Sequence, residues 1–276
     1  MSVYVRSCPT GKKFNTGGSY CPIDPTKVKA VFFSMKDIAI ENEIIGIDLT
    51  AMCHADRPER IYPIKNIVEY APSGGEAQVE TVGYGAPKVV SYSSRDDVFT
   101  LGVYDIELVK NIAKMKSQKV YVFYVDSDNQ IHGRTKEDDN SHFYGIPAMI
   151  YLADQPFDTS STNANTQIHI ALSDTEQFLQ NRVVIQKDYD VVDALIGLMS
   201  VKFVKPQSNS QFYYLVDSSN TNISSAYKDI TADCFVEAES VSYNASDDSF
   251  TIAGNTELKS PRELAEKNIY GIEYAG

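Results

Sequence analysis

The chain has 276 residues, 43% hydrophobic and 22% charged, a globular balance that excludes an intrinsically disordered polypeptide. Twenty-five Lys and Arg against 37 Asp and Glu leave a net charge of −12. A chain this acidic is excluded as a general binder of nucleic-acid backbones, which are gripped by Lys and Arg neutralising phosphates.

No stretch approaches about 18 consecutive apolar residues, so no membrane-spanning helix is predicted. The N-terminus, MSVYVRSCPTGKKFNTGGSY, has no apolar core of the kind a signal peptide needs, and the cytoplasm is the expected compartment. The Gly-rich stretch 11–20 reads as an arm, and residues 1–24 are set apart from the first domain.

Eighteen Tyr, 12 Phe and many short Val/Ile/Tyr runs between turn clusters predict a mainly β protein. In chain order, strands are expected at 28–35, 44–52, 61–70, 77–83, 88–92 and 99–103. The period then changes. Residues 105–116 (DIELVKNIAKMK) place Ile106, Val109, Ile112 and Ala113 at helical spacing behind Asp105 as N-cap, with Lys114 and Lys116 in the last turn, where the helix dipole favours cations. Lys119–Val125 (KVYVFYV) reads as a strand buried on both faces or at an interface, turned back by 126–129 into a return strand at 130–134. Strands at 145–152 and 166–172 flank a long polar loop, 153–165. Ser173-Asp174-Thr175-Glu176 matches a capping box opening a short helix.

From about Met199 the strands become half-buried: 201–205, 211–216, 234–243 and 249–253, with a last one at 269–274. Ser260-Pro261-Arg262-Glu263 is a capping box with Pro at the first helical position. These 78 residues suit a small Ig-like β-sandwich. The expected architecture is therefore an arm (1–24), a β-sandwich or partial barrel with one packed helix (25–198) and an Ig-like sandwich (199–276) that folds alone.

Motifs that could carry chemistry weaken on reading. Gly83-Tyr84-Gly85-Ala86-Pro87-Lys88 lacks the spacing and the following helix of a phosphate-binding loop and reads as a turn. Asp126-Ser127-Asp128-Asn129-Gln130 begins like a calcium loop, but Ile131 stands where the sharp turn needs Gly, so a hairpin turn is expected, with weak calcium binding through Asp126 and Asp128 as the alternative. Cys8, Cys21, Cys53 and Cys234 show no C-x2-C pair, and reduced thiols are the simple reading. A bridge between Cys8 and Cys21, or a metal shared with Cys53 and His54, is the alternative. His169 falls on the strand face opposite Ile168 and Ile170. His54, His132 and His142 show no convergent spacing. No catalytic residue, metal ligand or cofactor is assigned, and the chain is read as a non-enzyme.

The run RDDVFTLGVYDIELVKNIAKMKSQKVYVFYVDSDNQIHGR, followed by FYGIPAMIYLADQ and TQIHIALSD, and preceded by IYPIKNIVEY and QVETVGYG, resembles the tail tube proteins of long-tailed bacteriophages, particularly those of Bacteroides-like hosts. The resemblance spans about residues 25–198 and implies a virion structural protein, assembled in the host cytoplasm. Its copies would form rings, commonly hexameric, that stack into a tube, contact other tail proteins and pass DNA without binding it specifically. The net negative charge suits such a channel, and edge strands and long loops suit contacts between copies. Phe14, Tyr20, Tyr121, Phe123, Phe157 and Asp158 are the subunit-contact candidates. Another tail, neck-ring or hub component is the alternative within this class. Outside it, a module binding carbohydrate or a cell surface would use Tyr213, Tyr214, Tyr227 and Tyr243 as a platform.

Overall fold

The computed structural model describes residues 4–6, 26–41, 46–81, 83–115, 118–136, 139–152, 158, 164–206 and 212–275. In chain order the elements are β1 (Tyr4–Arg6), β2 (Val28–Ser34), β3 (Ile40–Glu41), α1 (Gly46–Cys53), β4 (Ile61–Ile64), β5 (Ile67–Gly74), β6 (Ala77–Glu80), β7 (Lys88–Tyr92), β8 (Arg95–Leu101) and α2 (Ile106–Lys114). Next come β9 (Lys119–Asp126), β10 (Gln130–Lys136), β11 (Asp139–Tyr144), β12 (Ile146–Leu152), β13 (Thr166–Leu172), α3 (Thr175–Asn181), β14 (Arg182–Gln186) and α4 (Val191–Ala194). The chain ends with β15 (Met199–Val204), β16 (Phe212–Val216), β17 (Ala238–Asn244), β18 (Ser249–Gly254), α5 (Pro261–Ala265) and β19 (Ile272–Tyr274), with 3-10 turns at Ser224–Tyr227 and Ala232–Cys234. The fold is mainly β, as expected. No helix among the described residues is long and apolar enough to cross a membrane.

The chain forms two units. The first comprises Met1–Gly46 and Ile61–Ala194, the second Ile47–Arg60 and Leu195–Gly276. The second unit begins four residues earlier than Met199, and it also takes a segment from inside the first. That segment carries α1 where the sequence reading places a strand over 44–52. Its mostly apolar run, IIGIDLTAM, fits either structure by hydrophobicity alone, and Asp48 in the first turn suits a helix N-terminus.

The first unit is built on a 12-stranded curled sheet whose main path is β1-β14-β10-β9-β12-β13-β8-β5. Its central strand, β9, is Val/Tyr/Phe-rich and buried on both faces over most of its length. Along one edge β9 pairs with β2. Along the other it pairs with β12 at Lys119–Val122 and with β10 at Tyr124–Val125. The sheet forks there. Gly145 sits at the fork, where a Cβ would stand 2.7 Å from the Tyr121 Cβ and 2.8 Å from its carbonyl carbon.

One face of this sheet forms the core, with Val31, Phe33, Phe99, Val120, Val122, Ile146, Ile150, Ile168 and Ile170 at its centre. The β13 strand shows the alternation that makes this possible: Ile168 and Ile170 point in, His169 points away. The α2 helix starts as expected, with the Asp105 side chain accepting the Leu108 N–H at 3.0 Å. Its buried stripe is Leu108, Ile112 and Met115, whereas Ile106 is 54% exposed and Ala113 is exposed. In α3 the cap is Asp174, which accepts the Gln177 N–H, rather than Ser173.

In the second unit five strands follow one hydrogen-bonded order, β17-β18-β16-β15-β19, and β15 and β19 run parallel. This is a single mixed sheet, not the paired antiparallel sheets of an Ig-like sandwich. Phe235, Phe250, Leu215, Leu264 and Ile272 fill its core, and α5 carries the expected capping box at Ser260 and Glu263. The 47–60 segment is tied into this unit. His54 accepts the Gly271 N–H through Nε2 at 2.9 Å while its Nδ1 donates to the Thr50 carbonyl at 2.7 Å. Arg60, 4% exposed, donates to Glu273 at 2.9 Å and to the Ala55 carbonyl at 2.8 Å.

Candidate functional site

A single β-ribbon leaves the edge of the first unit's sheet. Its inner half is β5 paired antiparallel with β8, from Ile67–Leu101 to Gly74–Arg95. Gly74 and Gly75, with φ of 75° and 87°, then turn the chain into a separate two-stranded sheet, β6 with β7. A Cβ on Gly74 would stand 2.0 Å from the Ser94 carbonyl oxygen, so the bend requires glycine. Ser93 pins the bend: its Oγ accepts the N–H groups of Gly75 and Glu76 at 2.9 and 3.0 Å and donates to the Glu76 carboxylate at 2.9 Å. Thr175 of α3 adds a bond to the Ser93 carbonyl at 3.1 Å.

Beyond the bend the ribbon is bare. All four β6 residues are exposed, as are four of the five in β7. Val79, Val89 and Val90 are 55%, 48% and 57% exposed, and Tyr84 at the tip is fully so. The Gly83–Lys88 stretch is the end turn of this ribbon, as its sequence suggests. Two strands alone are marginally stable in water, and exposed β-branched residues on an extended ribbon invite pairing with another chain.

The sheet face next to the ribbon base is also open. Across β12, β13, β8 and β5, Tyr151, His169, Val98 and Ala71 stand opposite one another, with Met149, Ala171, Asp96 and Ser73 as the adjacent row. Met149 and Tyr151 are 42% and 43% exposed. Asp96 organises the centre. Its Oδ2 accepts from Tyr151 Oη at 2.7 Å and from His169 Nδ1 at 2.6 Å, and the two rings stack at 4.7 Å. Burial, followed by the bond to Asp96, pushes the Tyr151 phenol up to about 12, so the group stays a neutral donor.

The opposite face of β8 is locked by Asp97, 1% exposed, which accepts from Tyr70 Oη (3.1 Å), Tyr124 Oη (3.0 Å) and Arg95 Nε (3.0 Å). Burial and then the Asp97 charge raise Tyr70 to about 12 and Tyr124 well above its ordinary value. The base of the ribbon is thus hydrogen-bonded on both faces while its outer half is uncovered.

Of the residues singled out from sequence, Phe14, Tyr20 and Phe157 lie outside the described residues. Asp158 is exposed and accepts the Ala164 N–H. Tyr121 is half-buried, with Lys119 Nζ 5.4 Å from its ring centre. Phe123 is fully buried and stacks on Phe32 at 4.6 Å, so its ring serves its own unit's interior and offers no surface to a neighbour. Of the N-terminal arm, Tyr4–Arg6 pairs with β14 of its own unit. Tyr213, Tyr227 and Tyr243 pack against the second unit's core and Tyr214 is half-buried, so they form no open platform.

The Asp126 turn is a hairpin, as expected. Its carboxylate accepts the N–H groups of Asp128 and Gln130 at 3.0 Å each, and His132 Nε2 donates to it at 3.1 Å. Burial opposes the charge, but these bonds more than offset it and hold the pKa of Asp126 below its ordinary value. Cys53 and Cys234 are free and buried, and Cys8 and Cys21 lie outside the described residues. No group of three His, Cys, Asp or Glu among the described residues is arranged to hold a metal ion. The sequence reading singled out neither the outer ribbon nor the open face. The exposed valines at 79, 89 and 90 look like ordinary strand residues until their burial is known. No protein-family profile, curated protein or solved structure matches the chain.

Proposed function

We propose that the chain is a structural subunit that assembles with copies of itself, in the manner of the bacteriophage tail tube proteins that residues 25–198 resemble. The observation that carries this reading is the outer ribbon, Ala77–Tyr92, a two-stranded extension with bare valines on a hydrogen-bonded base. In a ring, each ribbon would lie against the next subunit and gain the third strand or apolar cover it lacks alone. The open face of β12, β13, β8 and β5 would continue that contact through Met149 and Tyr151. Six such subunits would close a ring, rings would stack into a tube, and the net charge of −12 would keep passing DNA from adhering to the channel. The site is the virion tail, and no catalytic residue or cofactor is needed.

Light scattering and negative-stain electron microscopy across a protein concentration series test this. The reading requires a concentration-dependent rise in mass and hollow stacked rings. A monomer at every concentration, with or without preformed tail-initiator complexes as seeds, would overturn it.

A further inference from the structure

The core-side surface of the first unit holds a concavity of about 420 Å³ lined by Thr26, Val28, Tyr70, Pro72, Arg95, Tyr124, His132, Phe178 and Arg182. That volume lies in the small-ligand range. Two guanidinium groups reach this concavity over the same aromatic ring. The Arg95 and Arg182 Cζ atoms lie 5.0 and 5.5 Å from the centre of Phe178, which is 4% exposed.

The two cations are not equivalent. Arg95 is held by the buried Asp97 through Nε and by Tyr70 Oη through Nη2 at 2.6 Å. Arg182 has no carboxylate within ion-pair distance among the described residues. Its bond there is from Nη2 to His132 Nδ1 at 2.9 Å. His132 accepts at Nδ1 because its Nε2 faces Asp126. Both nearby carboxylates are therefore committed elsewhere: Asp97 to three donors, Asp126 to its own turn and His132. The guanidinium edges they leave, Nη1 of Arg95 and both Nε and Nη1 of Arg182, have no partner among the described residues.

We infer that this concavity is a binding site for a small organic carboxylate, whose anionic end is clamped between Arg95 and Arg182 and whose apolar body lies against Val28 and Pro72. The planar guanidinium fork matches a carboxylate in two-point contact, and the apolar wall selects an aryl or branched alkyl acid over a bare inorganic anion. This site is independent of the proposed assembly role.

The test is a titration of the full chain with benzoate, with acetate, inorganic phosphate and chloride at matched ionic strength as comparisons. It is followed by NMR of the arginine Nε–Hε groups. The site predicts saturable one-to-one benzoate binding that moves the Arg95 and Arg182 signals, with weaker acetate and phosphate. Arg182→Gln should weaken benzoate at least about tenfold, while far-UV circular dichroism shows the β fold retained. Arg182→Lys, which keeps the charge and loses the fork, should fall between the two. Three results would each overturn the proposal: no saturable binding to the native chain, Arg182→Gln binding benzoate as tightly as the native chain, or chloride displacing benzoate at equal ionic strength.

Discussion

His54 is the clearest point at which to perturb the segment that the second unit takes from the middle of the first. Its side chain is 1% exposed, donates from Nδ1 to the Thr50 carbonyl and accepts the Gly271 N–H at Nε2. It also meets Tyr270 edge-on at 5.7 Å. Replacing it with Phe keeps the ring and the Tyr270 contact but leaves the Gly271 N–H without its acceptor. An orphaned buried donor costs about 1–3 kcal/mol. The opening equilibrium of the second unit should therefore rise roughly fivefold to 150-fold. Cys53 and Cys234, both 1% exposed and both in this unit, report it directly. Their thiol-labelling rates in sub-denaturing urea, resolved by peptide mass, should increase by that factor. The pH dependence adds a second reading. Burial, with Arg60 adding to it, holds the folded pKa of His54 below the ordinary 6.5. A depressed folded value means that His54's contribution to stability is full above about pH 6.5 and is lost as pH falls below it toward the folded value. The native chain should show this loss and His54→Phe should not. Labelling rates that match in the two proteins, or an identical pH slope, would refute the assignment of His54 as the strap between α1 and β19.

Asp97→Asn should destabilise the first unit by about 1–3 kcal/mol in urea unfolding, because it removes the buried acceptor of Tyr70, Tyr124 and the half-buried Arg95; an unchanged unfolding midpoint would show that the Tyr70–Tyr124–Arg95 network is dispensable. Gly145→Ala should cost about 1–3 kcal/mol, since the new Cβ meets Tyr121 at 2.7 Å where the sheet forks; an unchanged unfolding midpoint would contradict the close approach. A separately expressed 195–276 fragment should unfold at lower urea than the same unit in the full chain, and a 46–60 peptide added in trans should raise its midpoint. Equal midpoints would show that the inserted segment adds nothing.

Several elements were legible because a local rule decided them. The strict alternation of TQIHIAL places His169 opposite Ile168 and Ile170, and it does so in the structure. Asp105 and Ser260 cap the helices they announce because capping depends on the next three residues alone. Where two periodic choices compete, tertiary packing settles them. Helical spacing in α2 turns Ile106, Val109, Ile112 and Ala113 inward; the sheet buries Ile112 but packs Leu108 and Met115 beside it and leaves Ile106 and Ala113 exposed. The run IIGIDLTAM fits strand or helix by hydrophobicity, and only its place against the second unit selects helix. That placement, like the Arg60–Glu273 pair 213 residues apart, is a long-range fact no window contains. The same is true of the ribbon. Val79, Val89 and Val90 carry strong strand propensity, which predicts β structure and is silent on whether anything covers it.

The claim that the ribbon is the assembly element is tested most directly by replacing Ala77–Tyr92 with a two-residue Asn-Gly hairpin turn. The replaced and native chains would be imaged side by side by negative-stain electron microscopy, with far-UV circular dichroism to check the fold. The account predicts rings or tubes from the native chain and folded monomers from the variant. Tubes of native appearance from the variant would contradict it.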